Sequence, residues 1–112
     1  MTLSEHQREF ARDVAELIRF AFDNDMELTF GEAYRTAEQQ AIYVRSGLSR
    51  TMDSFHRKRL AVDMNLFIEN EYQTKAEPYR PLGDFWKSLN TNNRWGGDFA
   101  GLGDANHFER RV

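Results

Sequence analysis

Apolar residues recur at helical spacing at Phe10, Val14, Leu17, Ile18 and Ala21. They predict one buried face of an amphipathic helix that packs into the core. Ser4 with Gln7 reads as a capping box opening that helix. The period then shortens. Met26, Leu28 and Phe30 alternate with Glu27 and Thr29, which predicts a short strand over 26–31. Thr36 with Gln39 forms a second capping box and Gly47 a helix stop. The helix between them presents Ala37, Gln40, Ala41 and Val44 along one side. Residues 48–58 are polar and loop-like. From Leu60 to Phe67 the alternation is clear: Leu60, Val62, Met64 and Leu66 point one way, Ala61, Asp63, Asn65 and Phe67 the other. Pro78 and Pro81 introduce a helix carrying Leu82, Phe85, Trp86 and Leu89. Residues 90–93 predict a turn, and Gly96, Gly97, Gly101 and Gly103 an irregular stretch. His107-Phe108-Glu109 predicts a short terminal strand with His107 and Glu109 on one face.

Helices and strands mix in this order with too few strands for a doubly wound sheet. The pattern predicts an α+β fold: a small, mostly antiparallel sheet with helices packed to one side. A chain of 112 residues has room for one domain, spanning 1–112, and for a real core. The net charge of −3 argues against general nucleic-acid binding. Arg57-Lys58-Arg59 is a short basic run, read as a solvated loop or as an attraction for an anionic polymer. No stretch approaches the ~20 apolar residues of a membrane span, and residues 1–9 lack an apolar signal core. Cytosolic synthesis as a monomer without a signal peptide is therefore the expectation.

The absence of cysteine means that any bound metal must use His, Asp or Glu. His56 and Asp63, with six residues between them, and His107 are such ligands. Two imidazoles and one carboxylate leave a fourth position open, the arrangement catalytic zinc requires, and lower the pKa of bound water from 15.7 to about 7. Asp63 lies within an apolar strand, where an unpartnered carboxylate is costly. Asp104, three residues before His107, is placed to handle a proton or to cap its own turn. His6, on the first helix, is read as solvent-exposed.

Three ordered motifs carry a resemblance. Ser54-Phe55-His56 through Asp63, Trp95-Gly96-Gly97-Asp98-Phe99 followed by Asp104-Ala105-Asn106-His107-Phe108-Glu109, and Tyr34-Arg35-Thr36 with Gln40 together resemble peptidase family M15. This is the VanY-like group of D-Ala-D-Ala carboxypeptidases and L-alanyl-D-glutamate endopeptidases. The resemblance covers roughly residues 29 to 109. It implies a Hedgehog/D,D-peptidase-type architecture, one zinc ion on His56, Asp63 and His107, and Asp104 as general base. Asp98 lies too far upstream to match the base position. Arg35 would anchor a substrate carboxylate bidentately or sit in a surface salt bridge next to a helix start, Ser54 would contact substrate or orient the ligand loop, and Trp95 would wall the cleft or lie in the core. Glu109 would hold a ligand histidine in its tautomer. The implied substrate is a peptidoglycan stem peptide, cut by an L-alanyl-D-glutamate endopeptidase of phage-endolysin type. The alternatives are a D-Ala-D-Ala carboxypeptidase or dipeptidase, a non-catalytic zinc-stabilised cell-wall binding module, and a partner-binding domain without metal. For a cell-wall substrate, release or export must depend on another agent. One departure stands out: many relatives have glycine three residues after the first histidine, where this chain has Arg59.

Overall fold

The computed structural model describes residues 1–49, 51, 52, 54–99 and 103–112, so Gly101 lies outside the described residues. Helix α1 (Leu3–Asp23) opens two residues earlier than the Ser4–Gln7 pair implies. Thr2 is the cap, its hydroxyl accepting from Glu5 N at 3.1 Å. The sequence holds two overlapping capping boxes, and the one nearer the terminus satisfies the helix. Gln7 is thereby free to donate to Lys58 O at 2.7 Å, tying α1 to the segment that carries His56. The α1 stripe behaves as predicted: Phe10, Leu17 and Ala21 are buried, with Val14 and Ile18 packed against the core. His6, expected exposed, is half-buried.

Strand β1 (Glu27–Phe30) leads through an extended stretch to α2 (Ala37–Arg45), capped by Thr36 as its sequence suggests. The central strand β2 (Ala61–Ile68) turns at Glu69 and Asn70, both at positive φ, into the two-residue β3 (Glu71–Tyr72). Two consecutive left-handed residues make the tight hairpin turn that suits strand twist. A turn of 3₁₀ helix then leads into α3 (Arg80–Leu89). The predicted turn over 90–93 ends one residue early, because Asn93 already belongs to β4 (Asn93–Trp95), and β5 (His107–Arg110) closes the fold. The main sheet runs β1-β2-β5-β4, with β3 on the end of β2, and every pairing is antiparallel. No helix of the described residues is long and apolar enough to cross a membrane.

The two sheet faces differ in kind. Leu60, Val62, Met64, Leu66 and Phe108 form one core with α1 and with Leu82 and Trp86 of α3. On the opposite face the register sets Asp63 beside His107 and Arg94 beside Glu109. The alternation in β2 therefore separates fold from chemistry. Arg110 is the one charged residue on the core side of β5. It is almost fully buried and donates to Asn93 Oδ1 at 2.6 Å, to Glu9 at 3.1 Å and to Asp13. These bonds clamp the strand carrying His107 onto α1. Removing one partner of a buried ion pair leaves an uncompensated charge. Arg110→Ala is expected to lose about 3–5 kcal/mol, read as a lower urea midpoint at unchanged slope.

Candidate metal centre and cleft

His56 sits on a 3₁₀ turn, Phe55–Lys58, whose cap Ser54 accepts from His56 N at 3.2 Å. The residue that closes this turn is Arg59, at φ 56°. The left-handed conformation that glycine adopts freely is thus kept here by an arginine, at a cost of about 1–2 kcal/mol. Its guanidinium lies over the Tyr34 ring at 4.1 Å, which offsets part of that cost. The basic run is not a fully solvated loop, since Arg57 and Lys58 are half-buried on the turn.

The three expected ligands meet. Asp63 Oδ1 lies 3.3 Å from His56 Nε2 and 3.3 Å from His107 Nδ1. The two imidazole centroids are 5.0 Å apart, and the three ligand atoms all lie within 4.8 Å of one another. Bonds of about 2.0–2.1 Å to a tetrahedral zinc put neighbouring ligand atoms about 3.3 Å apart, which matches both Asp63–His distances. The remaining ring nitrogens are held from behind. His56 Nδ1 donates to Ala33 O at 3.0 Å and His107 Nε2 to Glu109 Oε1 at 2.6 Å. Such partners direct the other nitrogen's lone pair toward a shared ion, so His56 offers Nε2 and His107 offers Nδ1. The donor set fits zinc in chemistry and in orientation.

Asp104 stands beside this cluster without joining it. Its carboxylate lies 3.9 Å from His107 Nδ1 and is half-exposed. The turn to His107 is closed by the Asp104 carbonyl, which accepts from His107 N at 3.0 Å. Among the described residues the Asp104 side chain makes no hydrogen bond within that turn, so the carboxylate is not spent as a cap. Burial pushes its pKa up, and Asp63 pushes it further. Gly96 explains why the Trp-Gly-Gly-Asp stretch accompanies Asp104. A Cβ there would overlap the Asp104 carbonyl oxygen and crowd the His107 Cβ, so only glycine lets the turn come this close.

A cleft of about 810 Å³ opens over the cluster, lined also by Glu32, Arg35, Tyr43 and Ser54 on one side and by Arg94 and Phe99 on the other. Arg35 is in the cleft, but not as a free fork. Its Nε is taken by Glu32, and its Nη1 donates to Gln40 at 2.8 Å and to Ser54 at 3.3 Å. Glu32 also accepts from the Tyr43 hydroxyl at 2.9 Å; that bond, then burial, raises the tyrosine pKa. A substrate carboxylate reaches Arg35 through Nη2 alone or by displacing Glu32. Glu32 and Tyr43 escaped the sequence reading, although Glu32 stands three residues before Arg35, a spacing that pairs opposite charges. Trp95 requires a correction. It is fully buried, donates to Ala105 O, and packs against Gly83 and Gly97. The odd-even alternation of β4 turns it into the core, so it does not wall the cleft. Asp98 pairs with Lys87 at 2.7 Å outside the cleft.

The electrostatics predict a proton balance for the metal-free protein. Burial opposes charge on both His107 and Asp63, but their mutual hydrogen bond outweighs it, aided by Glu109 on one side and His56 on the other. His107 rises to about 9 and Asp63 falls to about 2. His107 is then protonated at pH 7, and a metal must displace that proton. Zinc titrations at pH 7 in buffers of different ionisation enthalpy are expected to show about one proton displaced from His107, in addition to any released by zinc-bound water. The raised histidine stabilises the metal-free fold fully below pH 6.5, and this contribution disappears as pH rises through 9. The lowered carboxylate contributes above pH 3.8 and is lost as pH falls through 2. Both shifts report one cluster, worth about 3 kcal/mol.

The fold and the cluster define a class: a small α+β domain with a His-Asp-His centre and an adjacent free carboxylate on the open face of its sheet. The family model for D-alanyl-D-alanine carboxypeptidases of peptidase family M15 matches residues 47–110, and the chain belongs to that family. It is 32% identical over 100 residues to an L-alanyl-D-glutamate peptidase of Listeria phage A118. That match covers 84% of this chain and 34% of the relative, so the chain spans about a third of the relative's length. Its fold is that of the L-Ala D-Glu endopeptidase ChiX from Serratia marcescens, with a TM-score of 0.73 at 24% identity, over 96% of this chain and 85% of that one.

Proposed function

We propose that residues 1–112 form one catalytic domain, a zinc-dependent peptidase that hydrolyses the L-alanyl-D-glutamate bond of peptidoglycan stem peptides after release or export to the cell wall. The observation that carries this reading is the meeting of His56, Asp63 and His107 at 3.3 Å edges with a free carboxylate, Asp104, at their side. A single zinc ion held by the three would supply Lewis acidity toward water and the amide carbonyl. Asp104, whose pKa burial raises, takes a proton from the attacking water and returns it to the leaving amine. Glu109 and the Ala33 carbonyl keep the two imidazoles oriented. Ser54 holds the His56 turn and, with Glu32 and Gln40, fixes Arg35 at one wall of the cleft.

The names of the phage relative and of the structural neighbour favour the L-alanyl-D-glutamate bond. The description of the family model favours the second reading, removal of a terminal D-alanine. Mass spectrometry of digested muropeptides separates them. Stems cut after L-alanine are expected; release of D-alanine alone would reassign the bond.

A further inference from the structure

Among the described residues two arginines line the cleft, and of these Arg35 alone is in an ion pair. Arg35, near the β1 edge of the sheet, is paired with Glu32. Arg94, on the β4 edge, lines the same cleft, but its guanidinium has neither an ion pair nor a hydrogen bond among the described residues. It lies over the Phe99 ring at 5.0 Å, and the same ring is 5.8 Å from the His107 ring. Glu109, directly across the strand pair from Arg94, gives its carboxylate to His107 at 2.6 Å. That bond to His107 uses Glu109 Oε1, and no ion pair joins Glu109 to Arg94 among the described residues. A half-buried guanidinium held over an aromatic ring still has N–H donors to offer a ligand.

We propose that Arg94 is a specificity residue of the cleft, recognising a substrate carboxylate on the β4 side of the His-Asp-His cluster. This deepens the peptidase reading and rests on it. Arg94 and His107 flank one Phe99 ring, at 5.0 and 5.8 Å from it, so the carboxylate lies within about three residues of extended peptide from the bond that is cut. A stem glutamate linked through its side chain offers such a group next to the L-alanyl bond, its α-carboxylate. Converting that group to an amide removes the charge that a guanidinium pairs with, so amidated stems are the poorer substrates.

The test uses zinc-loaded wild type, Arg94→Gln and Arg94→Lys with two peptides, L-Ala-γ-D-Glu-L-Lys and its α-amide. Wild type is expected to favour the acid by about tenfold in kcat/KM, the size of one charge-assisted contact. Arg94→Gln is expected to bring the ratio within twofold, chiefly by raising KM for the acid, and Arg94→Lys to restore part of it. A purely structural arginine would leave the ratio unmoved. The inference is overturned if wild type shows no preference or if Arg94→Gln keeps it. Cleavage of neither peptide by wild type would instead count against the peptidase reading. Binding then decides the role of Arg94: its Nε–H resonance, identified by its absence in Arg94→Gln, should move on titration with γ-D-Glu-L-Lys and not with the amide. A resonance that moves with neither removes Arg94 from recognition.

Discussion

Asp104→Asn is expected to lose hydrolysis by about 10²–10⁴-fold while retaining stoichiometric zinc. Asparagine keeps the size of the side chain, and the turn to His107 is closed by the Asp104 carbonyl rather than by the carboxylate, so the fold has no reason to change. The ligand atoms are those of His56, Asp63 and His107, and the Asp104 carboxylate stands 3.9 Å from His107 Nδ1. What asparagine removes is a group able to accept a proton from water and give it to a leaving amine. A zinc-stabilised binding module would have no use for that group. Unchanged turnover with zinc bound would therefore take Asp104 out of the mechanism, and unchanged binding without any turnover in wild type would favour the module.

Chelation is expected to lower the melting temperature by on the order of 15 °C. A ligand present at a thousand times its Kd stabilises by about 4.1 kcal/mol, and a domain near this size shifts by about 4 °C per kcal/mol. The ion would join the 3₁₀ turn and β2, which are neighbours in sequence, to the distant β5. Metal-free protein keeps part of this link through the Asp63–His107–Glu109 hydrogen bonds. Those bonds stabilise the fold only while His107 carries its proton, that is, below its pKa of about 9. The chelator effect should therefore grow as pH is raised from 7 to 10. A melting curve indifferent to chelator at both pH values would point to a domain that holds no metal.

The three ligands were legible because each stands in a strongly patterned context. Asp63 interrupts the polar side of an alternating strand, and His107 and Glu109 share one face of a short one. Register then does what sequence cannot state, bringing Asp63 opposite His107 across β2 and β5. The first helix and α3 were equally clear from their apolar stripes. β3 and β4 were not, because two or three residues carry too little periodicity, and the β3 turn uses Glu69-Asn70 rather than a glycine-bearing pair. Trp95 was misread for the same reason. Inside an unrecognised strand its direction was undefined, and pairing with Phe108 sends it into the core. Glu32 and Tyr43 were invisible as site residues because their roles depend on Glu32 accepting from both Arg35 and the Tyr43 hydroxyl, contacts that no local periodicity announces. Arg59 shows the opposite case: its departure from the relatives' glycine was visible in the sequence, and the positive φ it had to adopt follows from closing the His56 turn.

A crystal structure of zinc-loaded protein, with anomalous diffraction recorded at the zinc edge, tests the central claim most directly. One peak is expected about 2.0–2.2 Å from His56 Nε2, from an Asp63 carboxylate oxygen and from His107 Nδ1, with His107 Nε2 still on Glu109. A peak elsewhere, or one bound by His107 through Nε2 with Glu109 displaced, would contradict it.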